Sequence, residues 1–251
     1  FTNNNANREG GAIYYSLGDK NSAEKNSFVN NSATYGGAVS ISGNSLSVIE
    51  NTFSENHASG YGGALKITEN NNKVINNIFK NNYANQRGGA IYSNGNNINI
   101  LENTFENNKA TTSIGGTLYN LGNNTQITSN TLKKSYSKSN GGSIYLDGKN
   151  AKINFNNISE SISDENGGAA FIRSEGATLS NNNFTSNKAG ASNGGGAIRI
   201  IGDNIAITEN IFNENSAKLG STIYGTGESG KITKNKFIDD KENDGSLRWE
   251  G

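Results

Sequence analysis

The sequence of 251 residues has no cysteine, proline or methionine, and only one histidine and one tryptophan. Without cysteine it has neither a disulfide framework nor a thiolate metal site. Basic and acidic residues number 22 each, so the basic excess that binds nucleic acids or anionic membranes is missing. No apolar run is long enough for a membrane-spanning helix. These absences predict no cofactor, no metal, no nucleic-acid partner and no membrane insertion by this segment.

A repeat fills the chain instead. An apolar residue followed by x-x-Asn recurs about every 26 residues, which is typical of a stacked array. The apolar positions are Phe1, Phe28, Phe53, Phe79, Phe105, Leu132, Ile158, Phe184, Phe212 and Phe237. Gly-Gly pairs lie between them and begin at Gly10, Gly36, Gly62, Gly88, Gly115, Gly141, Gly167 and Gly195.

Two more apolar columns follow the same period. One lies two residues after each Gly-Gly pair, and the other lies five residues before the Phe-type positions. The repeats contain short alternating runs bounded by Gly and Asn and no pattern of 3.6 residues, which predicts strands and turns. We therefore predict an all-β chain, a parallel β-helix (solenoid) of about ten coils with three short strands per coil, as a single domain over residues 1–251.

Asparagine and glycine columns have structural roles in this prediction. From the second repeat on, an asparagine two residues before each Phe-type position is expected to form a ladder of side-chain amides inside a turn. The Gly-Gly pair is expected at a tight corner, either for its positive φ or because a Cβ would meet the next rung. The asparagine positions are Asn26, Asn51, Asn77, Asn103, Asn130, Asn156, Asn182, Asn210 and Asn235.

The pairing of Gly36-Gly37-Ala38-Val39 with Phe53-Ser54-Glu55-Asn56, and its copies, resembles the repeats of the chlamydial polymorphic outer-membrane proteins. The abundance of Asn and the absence of Cys are similar to the adhesin-like surface proteins of methanogenic archaea. The resemblance covers essentially the whole chain. It implies a right-handed helix, in line with the general preference of crossover connections, together with display at the cell surface and adhesion.

The column after each inward residue of the Gly-Gly repeat is predicted to face outward. Over four consecutive coils it holds Tyr92, Tyr119, Tyr145 and Phe171. An exposed aromatic strip of this kind suits sugar rings or an aromatic-rich protein partner. The alternatives are that the rings only stabilise the sheet face or that a further segment covers them.

Charged residues beside this strip are weak catalytic candidates. Asp147 and Arg173 share one column, and Lys149, Glu175 and Asp203 share another. Glu175 and Asp203 are expected about 5 Å apart, a separation that suits a retaining carboxylate pair. Ordinary surface ion pairing explains the same pattern, and we expect no enzyme activity.

The remaining candidates are isolated. His57 is predicted at a variable exposed turn position, Trp249 at the end of the core or against a neighbouring domain, and residues 187–194 in a protruding loop. Four Asn-x-Ser/Thr sequons are glycan acceptors if they point outward: Asn30, Asn123, Asn157 and Asn183.

These observations predict a fragment of a longer extracellular, cell-surface protein. Its expected role is an adhesin-like stalk that attaches to a host, microbial or glycan partner. A polysaccharide lyase or glycoside hydrolase of the β-helix class and a purely structural spacer are the alternatives. The pattern specifies no oligomeric state.

Overall fold

The computed structural model describes residues 1–16, 18–190, 194–218, 220, 222–238 and 246–251. In this part of the chain all regular structure is β, and the strands stack in parallel as a solenoid of about nine turns of about 26 residues. Neighbouring strands pair in register, so that each column of the repeat becomes a row along the solenoid, as in Phe53↔Phe79. The predicted all-β parallel solenoid is confirmed.

The first sheet follows the Gly-Gly pairs and has ten strands. They are β1 (Ile13–Ser16), β5 (Val39–Ser42), β9 (Leu65–Ile67), β13 (Ile91–Ser93), β17 (Leu118–Asn120), β21 (Ile144–Leu146), β25 (Ala170–Arg173), β29 (Ile198–Ile201), β32 (Ile223–Thr226) and β35 (Leu247–Glu250).

The second and third sheets have nine strands each. The second contains β2 (Ser22–Glu24), β6 (Ser47–Ile49), β10 (Lys73–Ile75), β14 (Asn99–Leu101), β18 (Gln126–Thr128), β22 (Lys152–Asn154), β26 (Thr178–Ser180), β30 (Ala206–Thr208) and β33 (Lys231–Thr233). The third contains β3 (Ser27–Val29), β7 (Thr52–Ser54), β11 (Ile78–Lys80), β15 (Thr104–Glu106), β19 (Thr131–Lys133), β23 (Asn157–Ser159), β27 (Asn183–Thr185), β31 (Ile211–Asn213) and β34 (Lys236–Ile238).

A fourth sheet of seven strands adds to the three strands per coil that the sequence predicts. Five of its strands are only two residues long, which is too short for an alternating pattern to be visible in the sequence. The strands are β4 (Ser32–Tyr35), β8 (His57–Tyr61), β12 (Tyr83–Ala84), β16 (Lys109–Ala110), β20 (Tyr136–Ser137), β24 (Ile162–Ser163) and β28 (Lys188–Ala189).

The three predicted apolar columns form one continuous core. In the third sheet the phenylalanine rings stack along the solenoid: the rings of Phe53 and Phe79 are 4.7 Å apart between centroids and almost parallel. Leu132 and Ile158 continue the column where Phe is missing, and both are fully buried. Because each turn buries its apolar residues against the next turn, stability comes from contacts between neighbours.

The predicted asparagine ladder is present. In a typical step the backbone amide and Nδ2 of Asn77 both donate to Oδ1 of Asn103, at 2.9 and 3.0 Å. The Nδ2 of Asn103 donates in turn to the carbonyls of Val74 and Leu101. A second buried ladder, which the sequence reasoning missed, joins Asn31, Asn56, Asn82 and Asn108.

Both predicted reasons for the Gly-Gly pair hold, one for each residue of the pair. The first glycine has positive φ, as at Gly88 with φ 63°. The second leaves room for the adjacent turn: a Cβ on Gly89 would collide with the carbonyl oxygen of Gly116. The pair therefore brings the chain around a corner next to the first sheet and keeps the turns closely stacked.

Candidate binding surfaces

Tyr92, Tyr119, Tyr145 and Phe171, which we call the aromatic column, lie on the outer side of the first sheet as expected. Their predicted exposure is wrong, because between 4% and 8% of each side chain is accessible. They form a small apolar cluster separate from the core. The strands place consecutive rings about one rung apart, so that each ring covers the face of the next.

The rings stack face to face with centroids 5.1–5.3 Å apart and planes within 14° of parallel. Tyr61 extends the stack below Tyr92. The guanidinium of Arg87 lies 5.3 Å from the ring centroids of both Tyr61 and Tyr119. No ring face inside the stack is free for a sugar, and the column is held together largely by its own contacts.

The outer edge of the aromatic column is its accessible part. None of the hydroxyls of Tyr92, Tyr119 and Tyr145 is a buried atom without a hydrogen-bond partner, in the part of the chain that the structure describes. Burial raises the pKa of Tyr119 to about 12, against an opposing effect of Arg87, and it also raises the pKa of Tyr92 and Tyr145. The hydroxyls are therefore protonated donors at neutral pH.

The charged residues beside the column are paired with each other. Nε of Arg173 donates to Oδ1 of Asp147 at 3.0 Å, and Nζ of Lys149 donates to Oε2 of Glu175 at 2.6 Å. Oδ1 of Asp203 accepts a bond from the backbone amide of Glu228 at 2.8 Å. The carboxylates of Glu175 and Asp203 thus have different partners, although the two residues lie in neighbouring turns.

These ion pairs affect what the charged patch can do chemically. The hydrogen bond from Lys149 to Glu175 raises the pKa of Lys149, and Asp147 raises the pKa of Arg173. A general base at neutral pH requires the opposite shift. The residues line a shallow open groove of about 430 Å³.

His57 lies in strand β8 of the fourth sheet, so its predicted turn position is wrong. Its ring stacks on that of Tyr83 with centroids 4.2 Å apart. Trp249 packs on the core near one end of the solenoid, which is the first of the two positions predicted for it. Its Nε1 donates to the carbonyl of Gly227. The predicted loop at 187–194 includes residues 191–193, which lie outside the described residues.

All four sequon asparagines, Asn30, Asn123, Asn157 and Asn183, are exposed. Near two of them lies Phe155, which the sequence reasoning missed. It is 61% exposed and has φ 56°, a conformation that is unusual for a bulky residue. Nothing in the repeat distinguishes this position except that polar or charged residues occupy it in the other turns.

A groove on the outer side of the fourth sheet was also missed. It has a volume of about 620 Å³ and is lined by Lys109, Thr111, Lys134, Ser135, Tyr136, Glu160, Ile162, Ser186 and Lys188. In the sequence, the corresponding column changes residue type from turn to turn, whereas the columns beside it repeat. The sequence alone does not show that these positions form the face of a sheet.

Within the described ranges, no group of three or more His, Cys, Asp and Glu side chains is placed to hold a metal ion. The same part of the chain has no helix with the length and apolarity needed to span a bilayer.

Three segments of the chain, 1–16, 52–68 and 78–94, match the Chlamydia polymorphic membrane protein repeat. Each contains one Phe-x-x-Asn motif and the Gly-Gly pair that follows it. The chain is a β-helix repeat protein that resembles the chlamydial polymorphic membrane proteins. Comparisons with curated proteins and with solved structures gave no match.

This repeat family and the solenoid fold fit a surface adhesin-like passenger. The family also suggests association with the outer membrane or the cell surface. The matched segments contain the residues that form the core, the asparagine ladders and the Gly-Gly corners. The match therefore concerns the fold of the solenoid. The similarity to methanogen adhesin-like proteins remains a prediction.

Proposed function

We propose that the chain is an extracellular, cell-surface passenger that attaches its cell to a host, microbial or glycan partner. One observation supports this most: the repeat fixes the inward columns, while the outer columns change from turn to turn on a continuous stiff surface. In the fourth sheet, for example, the outward residues of successive strands are Ser32, His57, Tyr83, Lys109, Tyr136, Ile162 and Lys188. Variation on a rigid scaffold is typical of recognition surfaces.

Beads coated with the purified chain test this proposal. They are expected to attach to target cells or glycan-coated surfaces in a saturable way, and the soluble chain is expected to compete. Beads coated with an unrelated β-solenoid of similar charge are the control. Attachment equal to that control would indicate the structural spacer instead.

The aromatic column stays a proposed part of the contact, through its hydroxyl edge. Alanine variants would open the stack, so the better test is the triple change Tyr92→Phe, Tyr119→Phe and Tyr145→Phe, which keeps every ring. Reduced attachment with an unchanged melting temperature is expected if the edge binds. Tyr14→Phe, at an exposed position outside the aromatic column, is the control.

We also propose that the chain does not act as an enzyme, because the carboxylates of Asp147 and Glu175 are engaged by neighbouring cations. Assays for reducing ends and unsaturated products on pectin and related polymers are expected to show no turnover. Turnover that disappears in Glu175→Gln or Asp203→Asn would overturn this proposal.

A further inference from the structure

The groove on the fourth sheet combines an apolar floor with cations at both ends. Tyr136 and Ile162 form the floor, and Ile162 is 44% exposed. Lys109 lies one turn before Tyr136, and Lys188 lies one turn after Ile162, all four in register. Three rungs separate the lysines, so their Cα atoms are about 14 Å apart.

The charges in the groove are unevenly compensated. Glu160 pairs with Lys133 at 3.2 Å and with Lys134 at 3.8 Å. Asp164 accepts hydrogen bonds from Lys138 and from the hydroxyl of Tyr136. Lys109 and Lys188 have no acidic partner among the described residues, and both are exposed. The groove therefore presents two free positive charges.

The bond from Tyr136 to Asp164 holds the phenol ring in place over the sheet. It is an orienting contact: the hydroxyl is used inside the protein, and the ring is left beside Ile162 as the flat part of the floor. A fixed aromatic ring costs a ligand less ordering entropy than a mobile one.

The geometry favours a sugar chain over a peptide or a nucleic acid. Strands β20 and β24 are hydrogen-bonded on both sides, so an extended peptide has no free strand edge to join. Nucleic acids require a basic stripe, whereas this chain has no net charge and the groove has two free lysines. A short, shallow floor suits the flat C–H face of a pyranose ring.

We propose that this groove binds acidic oligosaccharides. A sugar ring lies on Tyr136 and Ile162, and carboxylate or sulfate groups of the glycan pair with Lys109 and Lys188. This inference rests on the proposed attachment function, whose ligand class it names.

The test measures binding of the purified chain to a polyuronate oligosaccharide, a sulfated oligosaccharide and a neutral one of equal length. Either acidic glycan is expected to bind more tightly than the neutral one, and the two arms distinguish carboxylate from sulfate. The double variant Lys109→Ala with Lys188→Ala loses two exposed ion pairs to the glycan, and its affinity is expected to fall about tenfold. The matched control, Lys73→Ala with Lys152→Ala, removes two exposed lysines from the second sheet and is expected to bind normally.

Variants of Tyr136 distinguish the contribution of ring stacking to glycan affinity from the contribution of the lysine charges. Tyr136→Ala is expected to weaken binding several-fold, whereas Tyr136→Phe keeps the ring and most of the affinity. Circular dichroism checks that each variant is folded. Binding should also weaken as salt is raised, because exposed charges are screened.

Equal affinity for acidic and neutral glycans, an unchanged lysine variant, or preferential binding of an acidic peptide would each overturn the inference. If coated beads still attach to cells while no acidic glycan binds, the inference fails and the attachment function stands. If the beads do not attach at all, the attachment function itself fails.

Discussion

The hydroxyl of Thr117 lies 2.6 Å from the hydroxyl of Ser135, at a point where the second asparagine ladder is interrupted. The next turn repeats the arrangement with Ser143 and Ser161 at 2.7 Å. In the turns on either side, the same two positions hold alanine and asparagine, as in Ala90 and Asn108. Where the asparagine becomes smaller, the facing residue becomes larger and supplies a hydrogen bond.

This relationship predicts strong coupling between the two positions. Ser135→Asn alone should destabilise the chain because Thr117 occupies the space of the amide. Adding Thr117→Ala should restore the ladder, with a coupling free energy of about 1–2 kcal/mol. A double-mutant cycle by chemical denaturation measures it, and simple additivity of the two changes would contradict the compensation.

The buried ladder should be much more sensitive than exposed asparagines. Asn103→Ala removes the acceptor of Asn77 and leaves buried groups without partners, so we expect a loss of about 3 kcal/mol in the free energy of unfolding. Asn157→Ala, at an exposed strand position, should change it little. Similar losses at the two sites, measured by urea unfolding, would show that the ladder is unimportant.

The raised pKa of Tyr119 predicts a loss of stability in alkali. The phenol ionises near its usual pKa of 10 in the unfolded chain but at about 12 in the folded one. The unfolded state therefore loses this proton first, and the stabilising contribution, complete below pH 10, is lost as the pH rises to 12. Unfolding of Tyr119→Phe should depend less on pH in this window than unfolding of the unmodified chain. Identical pH profiles would argue against the shift.

Phe155 should be replaceable with a gain in stability. It has φ 56°, and asparagine occupies the same turn position at Asn76 and Asn181 with φ 54° and 55°. Asparagine tolerates this conformation better than a bulky residue, so Phe155→Asn should add about 1 kcal/mol. The reverse change, Asn181→Phe, should remove a similar amount. A lower melting temperature for Phe155→Asn would mean that the exposed ring has a stabilising contact.

The scaffold was predictable from sequence because its columns repeat in residue type. Phe79, Asn103 and Gly89 each have copies in most turns, and identical residues stacked at one rung spacing leave few alternatives. The fourth sheet was not predictable, since its two-residue strands bury only alanine or serine and show no alternation.

The outer surface was harder to predict. The repeat correctly predicted that the side chain of Tyr119 points outward from the first sheet. Its burial depends on the rings of Tyr92 and Tyr145, which cover its two faces at the spacing of the turns. The pairing of Lys149 with Glu175 follows from their shared column and was expected as ordinary charge pairing. The groove at Tyr136 is lined by strands of the fourth sheet and by the turns beside them, and no single column of the repeat contains that information.

Attachment of coated beads, measured with and without a soluble acidic oligosaccharide, is the decisive experiment for glycan-dependent attachment. We expect the chain to attach beads to cells, the acidic oligosaccharide but not a neutral one to inhibit attachment, and the variant Lys109→Ala with Lys188→Ala to attach weakly. Attachment no greater than that of the unrelated control solenoid would contradict this expectation.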